Sequence, residues 1–501
     1  MLDRLPHLRA LRRHLAAAIG VGAAWSLRKR ILFGLLIFAV SFTVKCLVAV
    51  DLSPTLVADR QAFSRWEFER DALAVAGGKG ILIPEGWPAT DTSLLFHAPG
   101  YAIFLGAIYS ASGTNHFTVL LVHNAFNSLA AVLIFLIAGE LLAWPVGLAT
   151  GLIAALSHHL SYYSNFLLPD TICVLPLLAA MLLLVKAWRG RLRWPYPVAG
   201  LLLGLTVWLR PNALLLGPFV ALAFWLLAIR RPPRLRAAGW WLTAACLLVI
   251  APITIRNYVI YHEFVPVSAN LGIVMWEGIA DYSGDRFGAV TTDQGVAEQE
   301  AVWYNQPDYA DYWASPDGIQ RDHDRVRRSL AVIRDHPFWF AGITCRRIGE
   351  MFKYSASAPL VFARESSRAA NTDAGAEPES QSKKVAARQE QADHSVVLGL
   401  GHVLGFARPA ARAAQRLVKE TLYLFILIGA PLLLVLSPRR AMFLLIVPLY
   451  FVLVQAPLHL EFRYTLPMQY FVYVFAGFIW ILLSAAFGKL IRKAARRTQP
   501  C

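Results

Sequence analysis

Arg28-Lys29-Arg30 followed by ILFGLLIFAVSFTVKCLVAV (residues 31–50) decides the class of this protein. The run carries one charge, Lys45, and matches the roughly 20 apolar residues that cross a bilayer core as a helix. The basic triplet marks the end held in the cytoplasm. Further basic clusters flank later apolar runs, at Lys186 to Arg193, Arg230 to Arg236, Arg439-Arg440 and Lys489 to Arg497. A different set of polar residues falls at the opposite ends: Asp59 to Asp71, His97 to Tyr101, Pro169-Asp170, Arg256-Asn257-Tyr258 and His459 to Tyr464. Carboxylates, arginines and histidines gathered at one face point to an enzyme or a transporter working there.

The composition agrees with an all-α polytopic membrane protein: 57% of the 501 residues are hydrophobic and mean hydropathy is +0.48. A net charge of +16 would suit nucleic acid, but the basic residues sit beside apolar runs, where anionic cytoplasmic lipids attract them. Cys46, Cys173, Cys246, Cys345 and Cys501 show no CxxC spacing, hence neither a disulfide framework nor a metal site. Residues 1–30 read as a basic amphipathic segment on the cytoplasmic leaflet, without the look of a cleavable signal.

Hydropathy marks eleven apolar segments, near 31–50, 98–113, 117–139, 143–160, 168–187, 196–209, 212–229, 239–258, 418–436, 441–457 and 467–487. With the N-terminus inside and Arg256 outside, an odd number of crossings must separate them. One segment is therefore a half-span, and 98–113, opening on Ala98-Pro99-Gly100 and short for a crossing, is the best candidate. The expected organisation is a transmembrane module at 31–258 with an outer loop at 51–97, a large outer loop at 259–417, a second module at 418–488 and a cytoplasmic tail at 489–501. Both outer loops should carry helices lying at the membrane surface, near Phe63–Ala76 and His336–Tyr354. The aromatic first part of the large loop should be folded. Residues 366–395, almost without large apolar side chains, should be disordered.

Several residues carry candidate chemistry. On a helix Glu67 and Asp71 share a face, and Glu67 reaches Arg70. A carboxylate beside a hydrophobic wall can have its pKa raised toward a base's range, whereas a solvated face with local ion pairs is the plainer reading. Asp59 also suits a helix cap, and Asp170 a first-turn carboxylate favoured by the helix dipole. Arg210, in Arg210-Pro211-Asn212, suits the last carbonyls of the helix before it. Arg256 and Arg463 lie outside against the local charge bias and ask for an anion. Arg matches phosphate with a planar fork of donors. With a histidine facing the same compartment, they look like a phosphate site.

These pieces resemble, in order, the bacterial relatives of protein O-mannosyltransferases and of the lipid A aminoarabinose transferase, within the GT-C glycosyltransferase superfamily. The carriers are Gly78-Lys79-Gly80 after an acidic, aromatic helix, then His97-Ala98-Pro99-Gly100-Tyr101-Ala102 and Leu168-Pro169-Asp170-Thr171. Next come Gly204 to Pro211, Pro252 to Tyr258 continued by Phe264 to Asn270 and Trp276, and finally Glu461 to Pro467. There are departures. His97 and Ala98 replace an Arg and a Pro, Asp170 replaces a Glu, Leu209 replaces a Thr, and Trp66-Glu67 stands where many members carry an Asp-Glu pair.

The resemblance implies a GT-C fold and an inverting transfer of one sugar from a polyprenyl-phosphate donor to a lipid, glycan or protein acceptor. The reaction would run at the outer face of the bacterial inner membrane, with both termini cytoplasmic. It assigns Glu67, then Asp59, as general base, with Asp170 contacting sugar or acceptor. Arg256, Arg463, His97 and His459 would hold the donor phosphate. Tyr101, Asn257, Tyr258, Asn270, Glu461 and Tyr464 would line the substrate site. No cofactor, metal or nucleic-acid partner is expected. The alternatives are a flippase or transporter of a lipid-linked or anionic substrate, and an O-antigen-ligase-like enzyme using a diphosphate-linked polymer. A transporter would carry mid-membrane charges and an internal repeat, and neither is evident.

Overall fold

A computed structural model describes residues 25–58, 66–78, 92–190, 194–227, 233–312, 315–352 and 403–497, with single positions 360 and 399. Among them the chain is helical and without strands. Asp59 and the segment 366–395 lie outside the described residues, as do residues 1–24 of the expected amphipathic segment.

The first long apolar run is helix α1 (Leu27–Ala58), followed by α2 (Trp66–Ala76), α3 (Gly100–Ser112), α4 (His116–Leu141), α5 (Trp144–Leu156) and α6 (His158–Tyr163). The bundle continues with α7 (Val174–Gly190), α8 (Pro195–Leu209), α9 (Leu216–Leu227) and α10 (Pro233–Tyr261). The large loop contributes α11 (Leu271–Ser283), α12 (Asp293–Tyr304), α13 (Gly318–Asp335) and α14 (Pro337–Glu350), before α15 (Arg408–Leu436), α16 (Pro438–Gln455) and α17 (Leu466–Arg497). Among the described residues six helical stretches are long and apolar enough to cross a membrane, and shorter apolar helices such as α5 and α8 stand beside them. The chain is a multi-pass membrane protein.

Polar pairs fix the two poles of the bundle. Glu140, ending α4, lies 3.4 Å from Arg30 at the start of α1 and pairs with Arg189 at the end of α7. At the other pole Asp51 of α1 pairs with Arg408, which opens α15. Arg30 and Arg189, from two of the basic runs, therefore meet where α1 begins.

Segment 98–113 forms α3, and it lies against α2. A Cβ at Gly106 would stand 2.8 Å from the Ala72 carbonyl oxygen, and Glu69 binds both Tyr109 and, at 2.6 Å, His116. The start of α3 also wedges onto the end of α8. A Cβ at Gly100 would sit 2.4 Å from the Trp208 carbonyl oxygen, an approach open only to glycine. Segment 98–113 is thus held between α2 and α8.

The large-loop helices form their own core, in which Phe96, Ile273, Trp276, Ile279, Val296 and Ala297 pack together. Beside it, Glu300 is sealed between Arg321, at 2.7 Å, and Arg325, at 2.5 Å, with all three side chains about 1% exposed. The aromatic, acidic sequence of this loop is folded as expected, and α14 lies at its surface, with Phe338 91% exposed.

Candidate functional site

Against the large loop a cavity of about 260 Å³ opens. The α2 and α3 region contributes Phe68 and His97, and the turns before α7 and after α8 contribute Leu168, Arg210 and Pro211. From the large loop come Asn270, Ile273, Val274, Glu277, Thr291, Thr292 and Asp293, and from the turn before α17 come His459, Glu461, Arg463 and Tyr464. Six stretches separated in sequence thus share one space.

The cationic wall is built from paired groups. Arg210 forms an ion pair with Asp170, which is 3% exposed, and its guanidinium lies 4.7 Å over the Tyr464 ring. Arg463 Nη2 donates to Glu461 Oε1 at 2.6 Å, and the Tyr464 hydroxyl donates to the same oxygen at 3.2 Å. His97 stacks on Phe68 at 4.2 Å between ring centroids. Asp71 lies near His97 and Arg256 and is held at 2.9 Å by Arg70. Burial raises the Asp71 pKa, and Arg70, His97 and Arg256 oppose that rise.

The acidic wall comes from α11 and the segment opening α12. Burial pushes the Glu277 carboxyl up to about 9, reinforced by the charge of Asp293, a hydrogen bond to it, and the charges of Asp281 and Glu461. Glu277 is therefore a neutral acid at pH 7. One turn later, Asp281 meets Nδ1 of His459 at 2.9 and 3.0 Å. Arg347, fully buried, stands 3.5 Å from that carboxylate and donates to the Gly278 carbonyl.

The structure brings together His97, His459, Arg463, Asn270, Glu461 and Tyr464 among the residues expected from sequence. Asp170 reaches the cavity through Arg210, whose guanidinium goes to this carboxylate and not to the last carbonyls of α8. The other expected residues are not gathered here. Arg256 is 2% exposed and donates to the Leu94 carbonyl at 3.2 Å and to Asn257 Oδ1 at 2.6 Å. Asn257 in turn donates to the carbonyls of Val265, at 2.8 Å, and Val267, at 3.1 Å. This pair ties the end of α10 to both outer loops, a structural duty in place of the expected phosphate contact. Tyr258 is 58% exposed, off the cavity lining, and Tyr101 is buried with its hydroxyl 3.2 Å from His123 Nε2. Glu67 lies on α2, but its side chain is outside the described residues.

Sequence reading missed Glu277, Asp293 and the role of Arg210. The only signal for Glu277 was a carboxylate in an otherwise apolar first half of α11, Leu271 to Gly278. Among the described residues no group of three or more His, Cys, Asp or Glu side chains is arranged to hold a metal ion.

Residues 96–255 match the model of the dolichyl-phosphate-mannose-protein mannosyltransferase family. This stretch includes His97, Asp170 and Arg210. No curated protein sequence matches the chain. Two solved structures from Archaeoglobus fulgidus are similar. One is an oligosaccharyltransferase complex with Zn and sulfate, at 15% identity and TM-score 0.40, over 79% of this chain and 41% of that one. The other is the oligosaccharyltransferase AglB with an inhibitory peptide and a dolichol-phosphate, at 13% identity and TM-score 0.46, over 95% of this chain and 53% of that one. The chain thus spans about half the length of these proteins or less. The glycosyltransferase resemblance carried by the motifs extends, over residues 96–255, to the dolichyl-phosphate-mannose-protein mannosyltransferase family.

Proposed function

We propose that this protein is an inverting glycosyltransferase that moves a single sugar from a polyprenyl-phosphate donor to a hydroxyl of a lipid, glycan or protein acceptor. The carrying observation is the composition of the cavity: Arg210, Arg463 and His97 share about 260 Å³ with Glu277, Asp293 and Glu461. Such a space suits one sugar and its phosphate, and is small for a polymer. The family-matched stretch supplies two of its three cationic groups.

In this reading the two arginines and His97 neutralise charge that develops on the phosphate as the sugar–oxygen bond breaks. The carboxyl groups and Asn270 bind sugar hydroxyls. The exposed apolar face of α10, with Ile255 and Val259, leaves room for an isoprenoid chain in the surrounding lipid. The active site faces the exterior of the cytoplasmic membrane, with both termini inside, because the basic loops gather at the opposite pole.

The test is turnover of a panel of polyprenyl-phosphate hexoses, pentoses and amino sugars by the purified protein in lipid nanodiscs. Sugar release or transfer that drops in Arg463→Ala supports the reading. No turnover with any member of the panel overturns it.

A further inference from the structure

We infer that His459, held by Asp281, is the group that takes the proton from the acceptor hydroxyl during sugar transfer. The inference rests on the transfer reading above and adds the identity of the base.

Both oxygens of Asp281 lie within 3.0 Å of His459 Nδ1. A carboxylate at that nitrogen fixes the tautomer: Nδ1 keeps its hydrogen and Nε2 keeps a lone pair. The same carboxylate stabilises the imidazolium that forms when Nε2 takes a proton. Among the described residues no hydrogen bond goes to Nε2, and His459 lines the cavity. His459 is therefore a base by construction, whereas a residue expected to hold phosphate would present a hydrogen.

The pair of Asp281 and His459 is braced from behind. The His459 backbone N–H donates to the Val274 carbonyl at 2.9 Å. A Cβ at Gly278 would stand 2.7 Å from the His459 nitrogen, so α11 passes the chain at the closest distance glycine allows. Arg347 lies 3.5 Å from Asp281, is fully buried, and reaches the Gly278 and Ala456 carbonyls. It fixes Asp281 from behind. Asp281 and Arg347 are thus positioning residues that act through the imidazole.

The carboxyl groups of the same cavity are otherwise engaged. Glu277, pushed up to about 9 by burial and its acidic neighbours, already carries a proton at pH 7. Asp293 shares a hydrogen bond with Glu277. Glu461 is tied to Arg463 at 2.6 Å. Besides Asp281, the carboxyl groups of Glu277 and Glu461 and the Arg463 guanidinium line the same cavity, and among the described residues none of them hydrogen-bonds His459 Nε2.

The step balances without a further reactant. The acceptor oxygen bonds to the anomeric carbon as its proton passes to Nε2. The bond from that carbon to the phosphate oxygen breaks, and its electron pair leaves on polyprenyl phosphate beside Arg210 and Arg463. The imidazolium then returns its proton to water.

The experiment compares kcat, KM and their pH profiles for the unmodified protein, His459→Gln and Asp281→Asn, with the polyprenyl-phosphate panel and glycerol as acceptor. The base assignment expects kcat to fall roughly 10²- to 10⁴-fold in His459→Gln, with donor KM within about threefold. It also expects an acid limb of one proton in the unmodified protein that vanishes in this variant. Asp281→Asn should lower kcat and shift that limb, which loss of packing alone would not do. Donor binding by each variant, followed by quenching of tryptophan fluorescence, reports whether the site is still folded. Turnover by the unmodified protein without an acid limb, or a limb and kcat retained in His459→Gln, overturns the base assignment and leaves the transfer reading standing. Absence of turnover by the unmodified protein overturns both.

Discussion

Arg210 pairs with Asp170 across forty residues, joining the turn that enters α7 to the turn that leaves α8. Asp170 is 3% exposed and Arg210 leans over Tyr464, so one ion pair sets both the floor of the cavity and the angle of a cationic side chain. Removing Arg210 alone strands a buried carboxylate. Arg210→Ala should lose about 3–5 kcal/mol of stability, while Arg210→Gln with Asp170→Asn should recover most of it. Transfer should fall about 10²- to 10³-fold in both, because the phosphate loses a preorganised donor. Thermal unfolding and turnover on the same preparations separate the two effects.

The raised Glu277 carboxyl gives a stability signature with a defined sign. Its ordinary value is 4.5 and its folded value about 9, so between those pH values the folded chain holds a proton that the unfolded chain has released. Stability contributed at this site is complete below about pH 4.5 and is lost progressively as pH rises toward 9. Glu277→Gln removes the titration. Its melting temperature should equal or exceed that of the unmodified protein, with the gap widening from pH 5 to pH 9. A gap that stays constant would place the Glu277 proton elsewhere.

Gly278 leaves no room for a side chain against His459. Gly278→Ala should cost about 1–3 kcal/mol as the neighbouring backbone gives way. It should also lower kcat by about 10²-fold, since a displacement near 1 Å at the imidazole disrupts its aim. Gly342→Ala, whose added carbon meets nothing within 4 Å, is the control and should leave kcat unchanged.

The Glu300 carboxylate bridges two buried guanidinium groups inside the large loop. Glu300→Ala leaves both arginines buried without their shared counter-charge and should destabilise that domain by about 3–5 kcal/mol. Limited proteolysis should then cut within residues 259–350 at temperatures where the unmodified protein resists.

Much of the fold was legible because a bilayer imposes a simple code. Apolar runs long enough to cross it give the helices, and basic clusters give their polarity. The parity conflict among the apolar segments pointed to 98–113, which forms α3 and packs on α2. Around the cavity, the histidine at 97 and the run from His459 to Tyr464 were visible as polar residues at helix ends. Arg256 looked the same in sequence, yet its carbonyl partners lie at positions 94 and, through Asn257, at 265 and 267. A lone arginine at a helix end carries no mark that tells a loop clamp from a phosphate ligand.

By itself, then, the sequence determined a helical membrane protein with its chemistry at one pole, since hydropathy and charge act locally and are read along the chain. Only the tertiary structure decided which polar groups meet. The pairing of Asp281 with His459 spans 178 residues, and the neutral state of Glu277 arises from burial beside carboxylates on other segments. Desolvation and short-range electrostatics depend on distances in space, and no spacing in the chain encodes them until the helices have packed.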